Sequence, residues 1–205
     1  MNINKEKIRQ LLVTTRVQNE TILCSILREY RSDKSSDWHN YGPIYNYFFQ
    51  DLVGKGISLF EVGIFNGSSA RAWKQYFHNA QVYLADINVD YFLEDFPCYL
   101  CNQDEFKSIK HMWENQSLRN VQFEIIIDDG KHTFLANWNF FRASFHKLKN
   151  NGFFVIEDLT KSTVILFTLL IPYLRIRYGL RYVKVLRLKN GTNNIDNNLF
   201  IALRS

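Results

Sequence analysis

The sequence predicts an α/β domain whose mostly parallel sheet ends in an antiparallel hairpin and carries helices on both faces. Short runs rich in β-branched and aromatic residues recur after residue 56, and segments with helical spacing lie between most of them. This alternation is typical of a parallel sheet between two helix layers. The last two runs are joined by KNGTNNIDN, which has turn chemistry and no room for a helix, so they should pair antiparallel. The six runs cover residues 57–62, 81–86, 123–128, 153–157, 182–188 and 199–203.

Two helices are predicted between these runs from apolar spacing. Trp73 and Phe77 lie four residues apart and suit one helix. A second helix is expected from Leu135 through Leu148, and Gly152 should end it. The runs that flank this second helix are mostly apolar rather than alternating, as expected for strands that are covered on both faces.

The N-terminal part of the chain precedes this alternation. Residues 5–30 carry apolar positions at helical spacing, and Asn19 or Thr21 can cap the second half of that segment. A polar loop, RSDKSSDWHN, then leads into an aromatic helix, YGPIYNYFF. In that helix Tyr41 and Tyr45 have polar tips that could line a pocket.

The composition fits one globular domain. The chain has 205 residues, of which 46% are hydrophobic and 22% are charged, unlike a disordered chain. We expect a single domain over residues 1–205. Within it, residues 1–50 form a helical segment that could close as a lid and that includes Lys34 and His39. Residues 51–205 form the α/β core.

The chain has a small excess of basic residues that are not concentrated in one segment. The net charge is +5 and the sequence pI is about 9.0, but the basic residues are spread along the chain. The densest basic run alternates with apolar residues, which is typical of a solvated face rather than a nucleic-acid surface. We therefore expect no nucleic-acid partner. The run consists of Arg175, Arg177, Arg181, Lys184, Arg187 and Lys189.

No membrane or secretory signal is visible. The longest apolar run, STVILFTLLIPYL, is too short to span a bilayer and contains Pro172, so we expect no transmembrane segment. We expect core packing for this run, with contact to a membrane or a partner surface as the alternative. The opening stretch, MNINKEKIRQ, has no apolar centre or cleavage signal. The irregular spacing of Cys24, Cys98 and Cys101 argues against a disulfide framework and favours a reducing, cytoplasmic location.

A glycine-containing stretch, FEVGIFNGSSARAW, follows the first run. It reads E-x-G-x-x-x-G, with Glu61 at the end of the strand and with Gly63 and Gly67 allowing a close approach of the backbone to a ligand. The dinucleotide pattern G-x-G-x-x-G is absent, and Glu61 would repel a pyrophosphate. A cationic ligand such as S-adenosylmethionine would be attracted. Asp86 closes the next strand, 25 residues after Glu61, where a carboxylate can accept both ribose hydroxyls.

Two later strands each end in a pair of acids. Asp128 and Asp129 close FEIIIDD, Glu157 and Asp158 close GFFVIED, and His132 follows on the loop after the first pair. Carboxylates that converge on one edge of a sheet repel each other unless a cation lies among them. Hard oxygen ligands favour Mg²⁺, Mn²⁺ or Ca²⁺ over zinc.

These stretches together resemble a known family. FEVGIFNGSSARAW, EIIIDDGKH, FFVIEDL and the lead-in SDKSSDWHNYGPIYNYFF are similar to class I methyltransferases that methylate sugar hydroxyls. The mycinamicin- and macrocin-type enzymes and the bacterial or viral glycan O-methyltransferases form this group, and the similarity covers roughly residues 30–160. The resemblance implies a Rossmann-like, seven-stranded class I fold, an S-adenosylmethionine site in residues 51–205 and a divalent cation, Mg²⁺ or Mn²⁺.

The resemblance also implies roles for individual residues. Asp129 and Asp158 would hold the metal, and His132 would act as general base, with Asp129 part of the catalytic group. Gln103 would lie near the adenine. The family usually has serine where this chain has Lys131, and a third protein ligand for the metal is not identified. The residues assigned to the cofactor are Glu61, Gly63, Asn66, Gly67, Ser68, Asp86, Gln103 and Asp128.

The predicted function is S-adenosylmethionine-dependent O-methylation of a sugar hydroxyl, on a deoxyhexose such as rhamnose or on another glycan residue. The expected partner is a sugar-containing acceptor, and a homo-oligomer is compatible with the sequence. A catechol-type O-methyltransferase is an alternative, although its later strand usually ends in Asp-Asn rather than the Glu-Asp seen here. A non-catalytic binding module would not need the histidine and the two acid pairs. Base methylation of nucleic acid is disfavoured because no [DN]-P-P-[YFW] motif occurs.

Overall fold

The computed structural model describes residues 3–13, 20–189 and 195–205. The strands in this part of the chain are β1 (Ser58–Val62), β2 (Gln81–Asp86), β3 (Cys98–Leu100), β4 (Phe123–Asp128), β5 (Leu148–Ile156), β6 (Leu180–Arg187) and β7 (Asn198–Arg204). The helices are α1 (Lys5–Val13), α2 (Ile22–Glu29), α3 (Gly42–Phe49), α4 (Ser68–Tyr76), α5 (Phe106–Glu114), α6 (Phe134–Ser144) and α7 (Lys161–Tyr178).

The strands form one sheet in the order β3-β2-β1-β4-β5-β7-β6. β1 pairs in parallel with β2 on one side and with β4 on the other, and β4 pairs in parallel with β5. β7 runs antiparallel to both β5 and β6. The predicted class I methyltransferase fold, with its terminal antiparallel hairpin, is therefore confirmed. Because β1, β2, β4 and β5 are parallel, their carboxyl ends meet at one edge of the sheet.

Both faces of the sheet are buried, as the apolar runs predicted. In β4, Ile125 and Ile127 pack with the cluster on one face, and Ile126 packs with the cluster on the other. The first cluster includes Phe48 and Trp73, from α3 and α4. Since successive side chains of a strand point to opposite faces, a fully apolar strand needs helices on both sides.

The prediction that the second helix continues through Leu148 and ends at Gly152 is wrong. α6 stops at Ser144, a short turn follows, and β5 already begins at Leu148. Lys147 is buried in that turn, and its ammonium donates to the carbonyl oxygens of Leu118 and Arg119 at 2.9 and 2.7 Å. The apolar spacing in the sequence continues across this turn because the end of α6 and the start of β5 both face the core. The helix prediction, which rested on that spacing, therefore extended too far.

The cap of α2 and the short strand β3 also bear on the sequence predictions. Thr21 caps α2 through a hydrogen bond from the Cys24 amide, whereas Asn19 lies outside the described residues. The short edge strand β3 was not identified from its residues, because it spans only three positions.

The apolar run that forms α7 is only partly in the core. Phe167 and Leu174 are buried, whereas Leu169 and Ile176 are 73% and 88% exposed, so the prediction of core packing is wrong for one face of the helix. Within the described ranges, no helix combines the length and hydropathy needed to cross a membrane. The basic run that follows is largely solvated, as predicted: Arg175, Arg177, Arg181, Arg187 and Lys189 are exposed.

Candidate active site

A cavity of about 600 Å³ opens at the carboxyl edge of the sheet. This volume lies in the range typical of cofactor and substrate pockets. Beside the predicted residues, Asp33, Phe65, Tyr91 and Lys131 also line it. The predicted site residues that line the cavity are Gly63, Asn66, Ser68, Asp86, Gln103, Asp129 and His132.

Gly63 joins the end of β1 tightly to the end of β4. Its φ is +98°, and its amide donates to the carbonyl oxygen of Ala85 at 2.8 Å. A Cβ at this position would lie 2.0 Å from the carbonyl oxygen of Asp129. Only glycine fits this backbone, and its close approach fixes the distance between the cofactor loop and the later acids.

Asp86 presents a fixed carboxylate at the end of β2. Its Oδ2 accepts from the Ile64 amide at 2.7 Å, and its Oδ1 accepts from the Asn88 amide at 2.9 Å. The two amides hold the carboxylate in place at the border of the cavity, and each oxygen keeps a second lone pair. The group can therefore accept hydrogen bonds from hydroxyls of a bound ligand.

Asp128 lies behind the cavity rather than on its wall. It is fully buried, and it accepts from the side-chain amides of Gln103 at 2.7 Å and Asn137 at 3.1 Å. Burial raises the pKa of Asp128, and these hydrogen bonds oppose that shift. The Gln103 oxygen in turn accepts from the Lys131 amide at 2.9 Å. Asp128 thus orients Gln103, which does line the cavity.

Glu61 and Gly67 also lie outside the cavity lining. Gly67 caps α4 with a φ of +73°. Glu61 is fully buried, accepts from the Ser69 hydroxyl at 2.9 Å and has its other oxygen 3.6 Å from the Lys34 ammonium. Its role toward a ligand stays a prediction, and any such effect would act through charge or through Ser69, which borders the cavity.

The ionisation of Glu61 should make the stability of the metal-free protein depend on pH. Burial raises its pKa from 4.5 to about 7, against the opposing charge of Lys34. Its contribution to stability is therefore complete below pH 4.5 and is lost as pH rises through 7. We expect this residue to lower the free energy of unfolding by up to ~1.4 kcal/mol per pH unit in that window.

Chemical denaturation of the wild type and of Glu61→Gln, at several pH values between about 5 and 7, measures this contribution. The glutamine variant, which cannot ionise at this position, should lose less stability than the wild type as pH rises. Parallel curves for the two proteins would contradict the shifted pKa.

Lys34 is the central cation of the site, and sequence reasoning placed it only in a polar loop. The residue is 1% exposed. Its ammonium lies 2.5 Å from Asp129, 2.9 Å from Glu157, 3.6 Å from Glu61 and 3.8 Å from Asp33. Burial alone would lower the pKa of Lys34, but these carboxylates, Asp129 foremost, raise it well above its ordinary value. Lys34 thus supplies part of the positive charge that the converging carboxylates require.

Two buried tyrosines donate hydrogen bonds to the second pair of acids: Tyr41, which precedes α3, and Tyr45, which lies in α3. The Tyr41 hydroxyl donates to Asp158 Oδ1 at 2.7 Å, and the Tyr45 hydroxyl donates to Glu157 Oε1 at 2.5 Å. Both rings are fully buried and lie outside the cavity lining, so their interpretation as pocket residues is wrong. Burial and the neighbouring carboxylates raise the pKa of both phenols, which keeps them as donors.

Asp129, His132 and Asp158 form an outer group suited to a metal ion. One donor atom from each lies within 4.8 Å of the others. His132 Nε2 is 3.9 Å from Asp129 Oδ1 and 4.0 Å from Asp158 Oδ2, and His39 Nε2 is 3.4 Å from the same Asp158 oxygen. Burial and the charge of Asp129 raise the pKa of Asp158 to about 7. The two carboxylates are ligands that Mg²⁺ and Mn²⁺ prefer, and the His132 imidazole beside them is a candidate for the missing third ligand.

Both His132 and Asp158 adopt left-handed backbone conformations, with φ of +56° and +53°. Such conformations are unusual for residues with a side chain, and they concentrate at functional sites. His132 is 34% exposed in its side chain and borders the cavity, while its Nδ1 is buried without a hydrogen-bond partner in the described part of the chain. The neighbouring Lys131 forms an ion pair with Asp104, which neutralises its charge away from the His132 imidazole.

Sequence comparisons identify relatives of this chain. The 3'-O-methyltransferase of 8-demethyl-8-(2-methoxy-alpha-L-rhamnosyl)-tetracenomycin-C from Streptomyces olivaceus is 31% identical over 141 residues, which cover 62% of this chain and 34% of the relative. Mycinamicin VI 2''-O-methyltransferase from Micromonospora griseorubida is 26% identical over 67% of this chain and 36% of its own length. Demethylmacrocin O-methyltransferase from Streptomyces fradiae is 27% identical over 67% and 36%. Over about two thirds of its length, the chain is similar to class I sugar O-methyltransferases.

The resemblance predicted from the motifs is thus confirmed, although the chain spans only about a third of the length of these curated relatives. A comparison with protein-family profiles finds no match. Among solved structures, MycE methyltransferase from the mycinamycin pathway, in complex with Mg and SAH, has a TM-score of 0.71 at 19% identity, over 90% of this chain and 55% of that chain. TrmN from Thermus thermophilus has a TM-score of 0.53 at 13% identity, over 80% of this chain and 48% of that chain. These structures support the class I fold of this chain.

Proposed function

We propose that this protein is an S-adenosylmethionine-dependent O-methyltransferase that acts on a sugar hydroxyl, on a deoxyhexose such as rhamnose or on another glycan residue. The observation that carries the proposal is the continuity of the cavity, which runs from Asp86 and Gln103 to Asp129 and His132. A donor site and an acid–base site therefore share one space. The names of the relatives, which include rhamnosyl and macrolide sugar O-methyltransferases, favour a sugar acceptor.

The cofactor would occupy the part of the cavity beside β1 and β2. There Asp86 offers a carboxylate already fixed by two amides, and Gln103 is fixed by Asp128 and by the Lys131 amide. Rigid acceptors of this kind bind without a large ordering cost. The carboxylate of Asp86 at this wall favours a cationic donor over a pyrophosphate.

Asp86 should be a main contributor to the affinity for the cofactor. Replacing it with asparagine keeps the size of the side chain but removes the charge that strengthens hydrogen bonds to ribose hydroxyls. We expect the Kd for S-adenosylhomocysteine to rise about 10-fold to 100-fold, since hydrogen bonds to charged groups contribute ~1.5–3 kcal/mol. Isothermal titration calorimetry measures this change. Asp90→Asn, an exposed acid just beyond β2, is the matched control and should bind as the wild type does.

Asp129 Oδ1 and Asp158 Oδ2 would hold a divalent cation beside His132. When bound, such an ion would acidify the acceptor hydroxyl that contacts it. Asp129 and Asp158 are fixed by Lys34 and Tyr41, so the chain presents their remaining oxygens without rearrangement. This arrangement suits a sugar, whose adjacent hydroxyls offer two oxygen ligands.

The remaining task of the chain is alignment and proton removal. The acceptor oxygen forms its bond to the methyl carbon as the bond between carbon and sulfur breaks, and the hydroxyl proton moves to His132 Nε2. Alignment of reacting groups can contribute ~7–11 kcal/mol. A sugar hydroxyl is a much weaker acid than imidazolium, so His132 can accept the proton only as transfer proceeds or once the hydroxyl is acidified.

Methyl transfer from labelled S-adenosylmethionine to a panel of acceptors tests the proposal. The panel contains rhamnosylated and other deoxyhexosylated natural products, the matching aglycones and a catechol. Label in the sugar of the glycosylated compounds, and none in the aglycones, is the expected result. Label in the catechol alone would favour the catechol-type alternative. Cofactor binding without transfer to any acceptor would favour a binding module.

A further inference from the structure

Two acidic groups adjoin at the carboxyl edge and share Asp129. The inner group contains Glu61, Asp129 and Glu157, and the outer group contains Asp129, His132 and Asp158. In each group the possible ligand atoms lie within 4.8 Å of one another. The donor chemistry alone would allow one divalent ion in each group, bridged by the carboxylate of Asp129.

Lys34 already fills the inner group. Its ammonium has three hydrogens, and the three nearest carboxylates are those of Asp129, Glu157 and Glu61, at 2.5, 2.9 and 3.6 Å. The backbone of Lys34 is also held, since its amide donates to the Ser32 hydroxyl and its carbonyl accepts from the Tyr41 amide at 2.9 Å. The ammonium therefore occupies the position that an inner metal ion would need.

The carboxylate oxygens that face His132 belong to the outer group. Both oxygens of Glu157 are engaged in the inner group, one by the Tyr45 hydroxyl and the other by the Lys34 ammonium. Asp129 turns Oδ2 toward Lys34 and leaves Oδ1 toward His132. Asp158 gives Oδ1 to the Tyr41 hydroxyl, and its Oδ2 lies between two imidazoles, 3.4 Å from His39 Nε2 and 4.0 Å from His132 Nε2. Within the described residues, Glu61 Oε1 has no hydrogen-bond partner and lies 3.6 Å from the Lys34 ammonium, whereas the free oxygens of Asp129 and Asp158 converge on the side of His132.

We propose that Lys34 is a resident cation that closes the inner acidic group, so that the chain binds a single divalent ion, in the outer group. The outer site rests on the proposed function, whereas the role of Lys34 rests on its own contacts. Lys34 is thus a positioning residue: it neutralises the acids behind the site, orients Asp129 and prevents a second ion from binding.

Titration with Mn²⁺ in the absence of cofactor tests this proposal, with calorimetry giving the stoichiometry and electron paramagnetic resonance the spin coupling. The variant is Lys34→Met, which keeps the length of the side chain and removes its charge. Lys131→Met is the matched control, because it removes a lysine of the same edge that pairs with Asp104 instead. We expect one ion per chain in the wild type and in the control. We expect two ions in Lys34→Met, with the spectrum of a coupled pair.

One ion bound to Lys34→Met with wild-type affinity, no ion bound to it, or two ions bound to the wild type would each overturn the proposal. Folding is checked by thermal melting with and without Mn²⁺. A Lys34→Met protein that melts at lower temperature without Mn²⁺ and regains stability with it, or folds only when Mn²⁺ is present, supports the proposal because the metal replaces the ammonium. A variant that stays unfolded in Mn²⁺ overturns it.

The same titration separates this inference from the proposed function. A wild type that binds no ion, together with a Lys34→Met variant that binds one, would remove the metal from the proposed function and keep the role of Lys34. One ion in both proteins would remove the role of Lys34 and leave the proposed function intact.

Discussion

Replacing His132 with alanine is expected to lower the rate of methyl transfer about 10²-fold to 10⁴-fold, the usual contribution of a general base. His132 borders the cavity, and its Nε2 faces the two acids that would orient the acceptor. The Kd for S-adenosylhomocysteine should change little, because the fixed acceptors for the cofactor lie near β2. Initial rates with labelled cofactor and a glycosylated acceptor measure the first effect, and calorimetry measures the second.

The exposed His111, in α5, provides the matched control, since its side chain is 91% exposed. His111→Ala should retain the rate of the wild type. A His132→Ala enzyme that is equally active would refute the role as base. Loss of Mn²⁺ binding in this variant would instead assign His132 as the third metal ligand, the alternative that its distances to Asp129 and Asp158 allow.

Removing the divalent ion is expected to have an effect of similar size. A bound cation stabilises the developing charge on the acceptor oxygen by several kcal/mol, so chelation with EDTA should lower the rate at least ~10²-fold. Addition of Mg²⁺ or Mn²⁺ should restore it. Asp158→Asn should lower the rate as EDTA does, because the variant lacks one of the two carboxylates that would hold the metal. Metal added at low concentration should not restore the rate of this variant.

The matched control for this variant is Asp51→Asn, at an exposed acid remote from the cavity lining. It should respond to EDTA and to added Mg²⁺ as the wild type does. An enzyme whose rate is unchanged by EDTA, and unchanged in Asp158→Asn, would show that the acids act without a metal. Lys34 would then be the cation that balances them.

The fold and the order of the site residues along the sheet edge were accessible from the sequence. The alternation of apolar strands and helices defines a parallel sheet, and in such a sheet the ends of β1, β2, β4 and β5 must meet. Asp86, Asp129 and His132 were therefore predicted to be neighbours, and all three line the cavity. Topology makes this type of prediction reliable because it depends on strand direction and not on side-chain detail.

The interior of the site was not accessible in the same way. Lys34 is 95 residues from Asp129 in the chain and precedes the first strand, so no rule of sheet topology places it at the edge. Its position depends on the packing of α3, whose rings Tyr45 and Phe48 are buried in the core. The same packing directs Tyr41 toward Asp158. The spacing of Lys34, His39, Tyr41 and Tyr45 in the polar lead-in was the available signal.

The error at the end of α6 has a local cause. Apolar periodicity predicted α6 to run into β5, because both elements bury the residues at their junction. The cofactor roles of Glu61 and Asp128 stay predictions, because the side chain of a strand residue can turn to either face. Both turn away from the cavity and contact Ser69 and Gln103, which line it.

Calorimetric titration of the wild-type chain with S-adenosylmethionine tests the central claim most directly, because every proposed step requires this cofactor in the cavity at the carboxyl edge. The account predicts saturable binding at one site per chain and a large loss of affinity in Asp86→Asn. Absence of binding heat for the folded wild type, or equal affinity in the wild type and the variant, would contradict it.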